Sequence, residues 1–425
     1  MAEEKVKSWY KMDSAAILYS ALQREEYSAT YRFSVRMTQE VDPAALQRAI
    51  DRTMPRFPSF SMRIRRGFFW YYMEKNTAPG PFLREDVCDP CQPFRFQEDD
   101  HWLVRFYYYK KRISVEIFHA LSDGAGALAF FRTLLAAYLS ERGVVIPESG
   151  GLLNIEEPPD PEELEDAYSR YAGGYAAKRR RLPKAFSNIG TPEPFYTFHV
   201  TMGFVPLEAL RAQTARYGCT ITEYLASVLL FVLLEKQKRE SPRRLRPAAL
   251  AVPVNLRALF PTKTLLNFIL TVRPSIDPAL GEYSFAEIIP QVRHYMRLHI
   301  NRQELQAAFT ANVRLTKNPF LKIIPLFIKA PVMAANYRIH GVRPYSCTFT
   351  NPGEFSVPEE MRPYLEGAEV ILGQATVPRC HCACISFGKT MEITFAGTQA
   401  ESDTERDFFR FLVREGVPVT IQSNR

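Results

Sequence analysis

The stretch richest in chemistry-bearing residues is FHALSDGAGALAFFRTLLAAYL, residues 118–139. It sets His119, Asp123 and Gly124 in a His-x-x-x-Asp-Gly pattern between a strand-like run and a helix-like run. An imidazole titrates near neutral pH, so a histidine ending a strand is suited to moving a proton in a cleft. The plainer alternative is a buried histidine bonded to a backbone carbonyl. Asp123 or Ser122 can cap the following helix, and for Asp123 a cap is compatible with an ion pair. Gly124 lacks a Cβ, which lets the backbone turn tightly into the helix, and the two glycines of the first turn, Gly124 and Gly126, permit close backbone packing.

Other apparent motifs fail on spacing. SFGKT (386–390) ends like a phosphate loop, but the required first glycine is Ala383. GAGALA has two of the three dinucleotide-loop glycines, and no Gly-x-Ser-x-Gly elbow exists. Two cysteine clusters have metal-like spacing: Cys88 and Cys91 in CDPC, and Cys380, His381, Cys382 and Cys384 in CHCAC. The second alternates, which puts its three thiols on one face of a strand as small buried hydrophobes. No metal is expected.

His119 must be positioned by the elements around it. HWLVRFYYY and RISVEIFHA form a hairpin turning at Lys110 and Lys111, so His119 ends a strand. ATYRFSVRM (29–37) is a further strand, VDPAALQRAIDRTMPRF an amphipathic helix with Pro near its start, and FSMRIRRG with FFWYYME a second hairpin. Residues 141–195 are rich in Pro, Gly and charge and read as a crossover. The second half begins with FYTFHVTMGFV as a strand. The helices PLEALRAQTARYG and TITEYLASVLLFVLLEKQKR follow, then strands in PAALAVPVNLR and LLNFILTVRPSI. Helices fill 282–336. EVILGQATV, CHCACISFG and KTMEITFAG form an antiparallel set before a closing helix at 401–416.

The chain has 425 residues, 46% hydrophobic and 24% charged, enough for two or three domains. Its 30 Phe and 21 Tyr imply large cores or aromatic-lined tunnels. The net charge of +8 suits an anionic partner: a phosphorylated cofactor, an acidic carrier protein or a membrane surface. No nucleic-acid-binding signature is present. Two basic runs, Lys178–Lys184 and Lys236–Arg244, are candidates for such contacts. No signal-peptide pattern and no long apolar run occur, and seven cysteines, an odd number, favour a reducing compartment. A cytoplasmic protein with possible peripheral membrane contact is the expectation. The apolar 320–335 segment fits either a lipid-like substrate or a core.

With His119, Asp123 and Gly124, three further stretches carry a resemblance. AVPVNLRALFP (251–261), LLNFILTVRP (265–274) and FTNPGEFSVP (349–358) stand in that order. Together they resemble the CoA-dependent acyltransferase superfamily: chloramphenicol acetyltransferase, alcohol acetyltransferases, polyketide-associated acyltransferases and condensation domains. There are departures. Phe118 stands where condensation domains carry a first histidine, and the plant-type Asp-Phe-Gly-Trp-Gly motif is absent.

The resemblance implies an α+β fold of two chloramphenicol-acetyltransferase-like subdomains, residues 1–185 and 186–425, each a mixed sheet with helices, in a V around a central tunnel. It implies an acyltransferase moving an acyl group from acyl-CoA, or from a phosphopantetheine thioester on a carrier protein, to an alcohol or amine. His119 would be the general base. Asp123 would pair with an arginine, Arg257 first and Arg63 second. Asn267 and Asn351 would contact substrate, although Asn351 is equally a turn residue before Pro-Gly. No cofactor would stay bound, and a monomer is expected. The alternatives are a stand-alone condensation enzyme using carrier-bound substrates and a non-catalytic lipid- or carrier-binding relative.

Overall fold

The computed structural model describes residues 9–10, 12–24, 27–96, 99–178, 182–194, 197–374 and 380–425. In the strand Thr30–Met37, Tyr31, Phe33, Val35 and Met37 alternate into one core. This strand pairs antiparallel with Arg112–Phe118, which pairs antiparallel with Val104–Tyr109. Leu83–Glu85 adds a parallel edge. The helices Pro43–Thr53 and Gly124–Glu141 pack against each other and share the core of this sheet. Pro43–Thr53 starts where Asp42 accepts from Ala44 and Ala45 N–H, with Pro43 in the first turn, where no donor is needed.

The second sheet has eight strands. Its path runs Ile269–Val272, Ala248–Asn255, Cys347–Thr350, Cys380–Phe387, Thr390–Gly397, His199–Pro206 and Thr420–Ser423, with Ser275–Ile276 also on Ala248–Asn255. Cys347–Thr350 runs parallel to both neighbours and the other pairs are antiparallel, so the sheet is mixed. Ile221–Glu240 starts at a Thr220–Glu223 capping box and lies buried in the second core.

Two strand assignments change. The FSMRIRRG–FFWYYME hairpin contracts to Met62–Arg66 and Tyr71–Lys75, which join Trp9–Tyr10 in a separate three-stranded sheet. EVILGQATV does not pair with its sequence neighbour. Leu365–Leu372 crosses to Thr30–Met37 in the first sheet, and residues 375–377 lie outside the described residues. The cause is burial: Ala368 and Val370 fill the first core, while Glu369 meets Arg36 at 2.8 Å. One strand of the second half therefore completes the sheet of the first, and Arg36 also reaches Glu392 of the second sheet at 3.6 Å.

The cysteines at 380, 382 and 384 lie buried in the second core, and His381 sits on the opposite face, where burial lowers its pKa to about 4. Cys88 is exposed and Cys91 buried. Among the described residues no group of three His, Cys, Asp or Glu could hold a metal. No single described helix is long and apolar enough to cross a membrane.

Candidate functional site

His119 follows the strand Arg112–Phe118, and its N–H donates to Ala29 O at 2.8 Å, which ties it to the neighbouring strand's start. The half-buried imidazole sits beside the rings of Tyr19, centroids 4.5 Å apart, and Tyr31, 5.0 Å apart and edge-on. Its Nδ1 lies 2.9 Å from Asn267 Oδ1. At its other end Asn267 donates from Nδ2 to Asp13 Oδ2 at 3.2 Å. With Asp13 ionised its carboxylate can only accept, and this contact then orients the amide with its oxygen towards His119. Nδ1 then carries the proton, and the neutral ring's lone pair is on Nε2.

Burial sets the protonation states. Loss of water around His119 lowers its pKa from the ordinary histidine value, with the Asp123 charge and hydrogen bonding acting in the opposite sense. Burial pushes the Asp13 carboxyl up to about 7 against the hydrogen bonds from Ala16 and Asn267. Asp13 is also the N-cap of Ser14–Leu22, its Oδ1 accepting from Ala16 N–H at 2.8 Å.

Asp123 makes no hydrogen bond to His119 among the described residues. It builds the frame instead. Its Oδ1 caps Gly124–Glu141 by accepting from Ala125 and Gly126 N–H, both at 3.1 Å. Its Oδ2 accepts from Arg257 Nη1 at 2.8 Å and from Phe268 N–H at 2.7 Å. Arg257 spends its other donors on Thr264 O and Leu266 O, and Ser122 Oγ donates to Leu265 O at 2.5 Å. The 264–268 segment is thus clamped onto the 122–126 turn, and this clamp carries Asn267 to His119. Arg63 pairs with Glu74.

The glycine that this approach requires is Gly126. A Cβ there would lie 2.2 Å from Leu265 O and 2.3 Å from Ser122 Oγ. Gly124, expected to permit the tight turn, has room: a Cβ would meet only Phe33 Cζ, at 3.9 Å. Close packing is thus required at Gly126 alone of the two, and its neighbour, the 265 backbone, is invisible from the local sequence.

The two asparagines separate. The Asn267 amide contacts protein groups at both ends, His119 and Asp13. Asn351 donates to Thr222 Oγ1 at 3.1 Å and accepts from Gly353 N–H at 3.0 Å, as a turn residue does, without contact to His119. A cavity of about 30 Å³, room for one or two waters, lies beside the site between Asp13, Ala120, Leu266, Met12 and Met62.

Sequence reasoning missed Asp13 and Tyr19, and it offered Ser122 only as a helix cap. An aspartate before the apolar run SAAILYSAL is a readable helix cap. Nothing local, however, links Asp13 to a residue 254 positions away. In the basic run at 236–244 Lys236 is buried on Asp403 at 2.8 Å, Lys238 pairs with Glu235 and Arg239 with Asp407, while Arg239, Arg243 and Arg244 are exposed. Arg179, Arg180 and Arg181 of the other run lie outside the described residues.

No family model and no curated protein matches this sequence. Solved structures do. The starter condensation domain of rhizomide synthetase, in complex with C8-CoA and Leu-SNAC, superposes with a TM-score of 0.60 at 12% identity, over 96% of this chain and 95% of that one. Trichothecene 15-O-acetyltransferase from Fusarium sporotrichioides gives 0.61 at 10% identity, over 97% and 98%. Polyketide synthase associated protein 5 from Mycobacterium tuberculosis gives 0.58 at 13%, over 95% and 96%. The chain has the α+β fold of condensation domains and CoA-dependent acyltransferases, over 96% to 97% of its length.

Proposed function

We propose that the protein is an acyltransferase that moves an acyl group from a thioester, on CoA or on phosphopantetheine, to an alcohol or amine. The observation that carries this is the His119–Asn267 contact, which leaves Nε2 as the basic nitrogen of a half-buried ring with a lowered pKa. His119 Nε2 takes the acceptor's O–H or N–H proton as the heteroatom bonds to the thioester carbonyl carbon. The tetrahedral intermediate collapses with cleavage of the C–S bond, and the imidazolium returns the proton to the departing sulfur. Asp123 and Arg257 hold the loop that aims the base and do not touch the reacting atoms. The likeness to an acetyltransferase and to a condensation domain solved with C8-CoA supports the same chemistry.

The test is thiol release from acetyl-, octanoyl- and palmitoyl-CoA with pooled alcohols and amines, comparing wild type with His119→Ala. Release that needs both acceptor and His119 is the expected result. Equal release from the variant would defeat the assignment. Release only from a phosphopantetheinylated carrier protein would place the donor there.

A further inference from the structure

Most of the segment 320–335 is not core, Leu326 being its buried apolar residue. Phe320, Ile323, Phe327 and Val332 are 59% to 74% exposed, and beside them stand Phe68 and Phe69, 66% and 43% exposed. The two segments form one surface. Leu326 N–H donates to Phe68 O at 2.8 Å, and the Phe68 and Phe327 rings meet edge-on, centroids 6.5 Å apart. The helix Leu326–Tyr337 departs from the usual pattern of a surface helix: it buries Lys329 beside Leu326 and exposes Phe327, Ile328 and Val332. Lys329 Nζ sits 3.4 Å from the centre of the Trp70 ring and donates to Leu321 O, so the lysine locks the apolar stripe outward.

The chain that carries the helical part of this surface has charge of one sign. Between Glu304 and Glu354 the sequence has no Asp or Glu and six cations, Arg314, Lys317, Lys322, Lys329, Arg338 and Arg343. All but Lys329 are exposed, and among the described residues none of the six pairs with a carboxylate. Single exposed apolar side chains are ordinary, but a contiguous patch of aromatic and branched residues rimmed by cations marks an interaction face.

From this patch and its charge we infer that the face formed by 68–69 and 320–332 docks on an anionic lipid bilayer. The aromatics enter the boundary between headgroups and acyl chains, and Lys317 and Lys322 meet lipid phosphates. A second copy of the chain fits less well: in a two-fold interface the patch would meet itself and set its unpaired cations against each other. The docked helix packs on Ser14–Leu22, whose Tyr19 ring covers His119, so docking brings the roof of the candidate site to the membrane surface. The docking does not depend on whether His119 transfers an acyl group.

The experiment is cosedimentation of the purified full chain with vesicles of phosphatidylcholine alone or mixed with phosphatidylglycerol, at low and high salt. The variants are Phe320→Ser/Phe327→Ser, Lys317→Gln/Lys322→Gln, and Val145→Ser as an exposed control outside the patch. Thermal melting confirms that each is folded. Binding to the anionic vesicles is expected to fall about tenfold or more in the aromatic double variant, to weaken with salt and in the lysine double variant, and to persist in the control. No binding to anionic vesicles, or binding equal in all variants, overturns the inference. So does a lipid-independent dimer, seen by sedimentation velocity, that the aromatic double variant dissolves, because the face then belongs to a second copy.

Discussion

Asn267 places its Oδ1 2.9 Å from His119 Nδ1 and its Nδ2 3.2 Å from Asp13 Oδ2, so one neutral amide joins a buried carboxyl to the candidate base. The amide relays orientation and not charge, because it has no proton to lose near neutral pH. Asn267→Ala removes the acceptor that fixes the tautomer and ring angle. Turnover is expected to fall about 10- to 100-fold with little change in KM, since general-base catalysis contributes about 10²- to 10⁴-fold and only part depends on aim. Steady-state thioester turnover checks this, and an unchanged kcat would detach Asn267 from the chemistry.

The pH dependence follows from burial of the ring. A pKa below the ordinary histidine value means that the neutral, basic form persists to more acid pH than free imidazole allows. The acid limb of kcat/KM should therefore fall below about 6.5. Profiles of wild type and Asp13→Asn measured together assign the limb. One near 7 that disappears in the variant belongs to the Asp13 carboxyl, and one that remains belongs to His119.

Asp13 also makes stability depend on pH. Its folded pKa of about 7 stands above its ordinary 3.8, so the native state holds a proton that the unfolded chain has lost. The stabilisation is fully present below about pH 4 and disappears as the pH rises to about 7. Its upper size is about 4 kcal/mol. Asp13→Asn keeps a capping oxygen and cannot ionise. Denaturant midpoints at pH 4.5 and 8 should diverge in wild type and converge in the variant; parallel behaviour would show that Asp13 is not a raised carboxyl.

Arg257 neutralises a carboxylate with no exposed side-chain surface. Arg257→Gln strands the Asp123 charge and should cost about 3–5 kcal/mol, while Asp123→Asn/Arg257→Gln should lose less than the sum of the single variants. A double-mutant cycle by urea unfolding measures the coupling. Additive losses would mean that the pair does not couple.

The two glycines at the helix start give opposite expectations. Gly124→Ala introduces a Cβ into ordinary contact and should leave the melting temperature unchanged or raised. Gly126→Ala drives a Cβ into Leu265 O and Ser122 Oγ and should destabilise by about 1–3 kcal/mol and weaken turnover by displacing Asn267. Equal melting temperatures for the two variants would argue against the clamp.

Where the signal is local, sequence and structure agree. The strand ending at His119, the helix begun by Asp123, the Thr220 capping box and the four helices between 285 and 337 are written in periodicity and cap residues close together in the chain. Pairing was legible only where a short turn enforced it, as in Cys380–Phe387 with Thr390–Gly397. Leu365–Leu372 escaped because its partner, Thr30–Met37, lies more than 300 residues away and was selected by burial of Ala368 and Val370 and by the Arg36–Glu369 pair.

By itself the sequence determined which residue types could do chemistry and which elements would hold them, since caps, alternation and motif spacing act over a few residues. Tertiary structure alone decided that Asn267 faces His119, that Asp13 stands behind it, that Gly126 is the glycine the clamp needs, and that most of the apolar 320–335 segment points outward. Each depends on contacts between segments far apart in the chain, where packing and the cost of burying a charge decide the partner and local pattern has no influence.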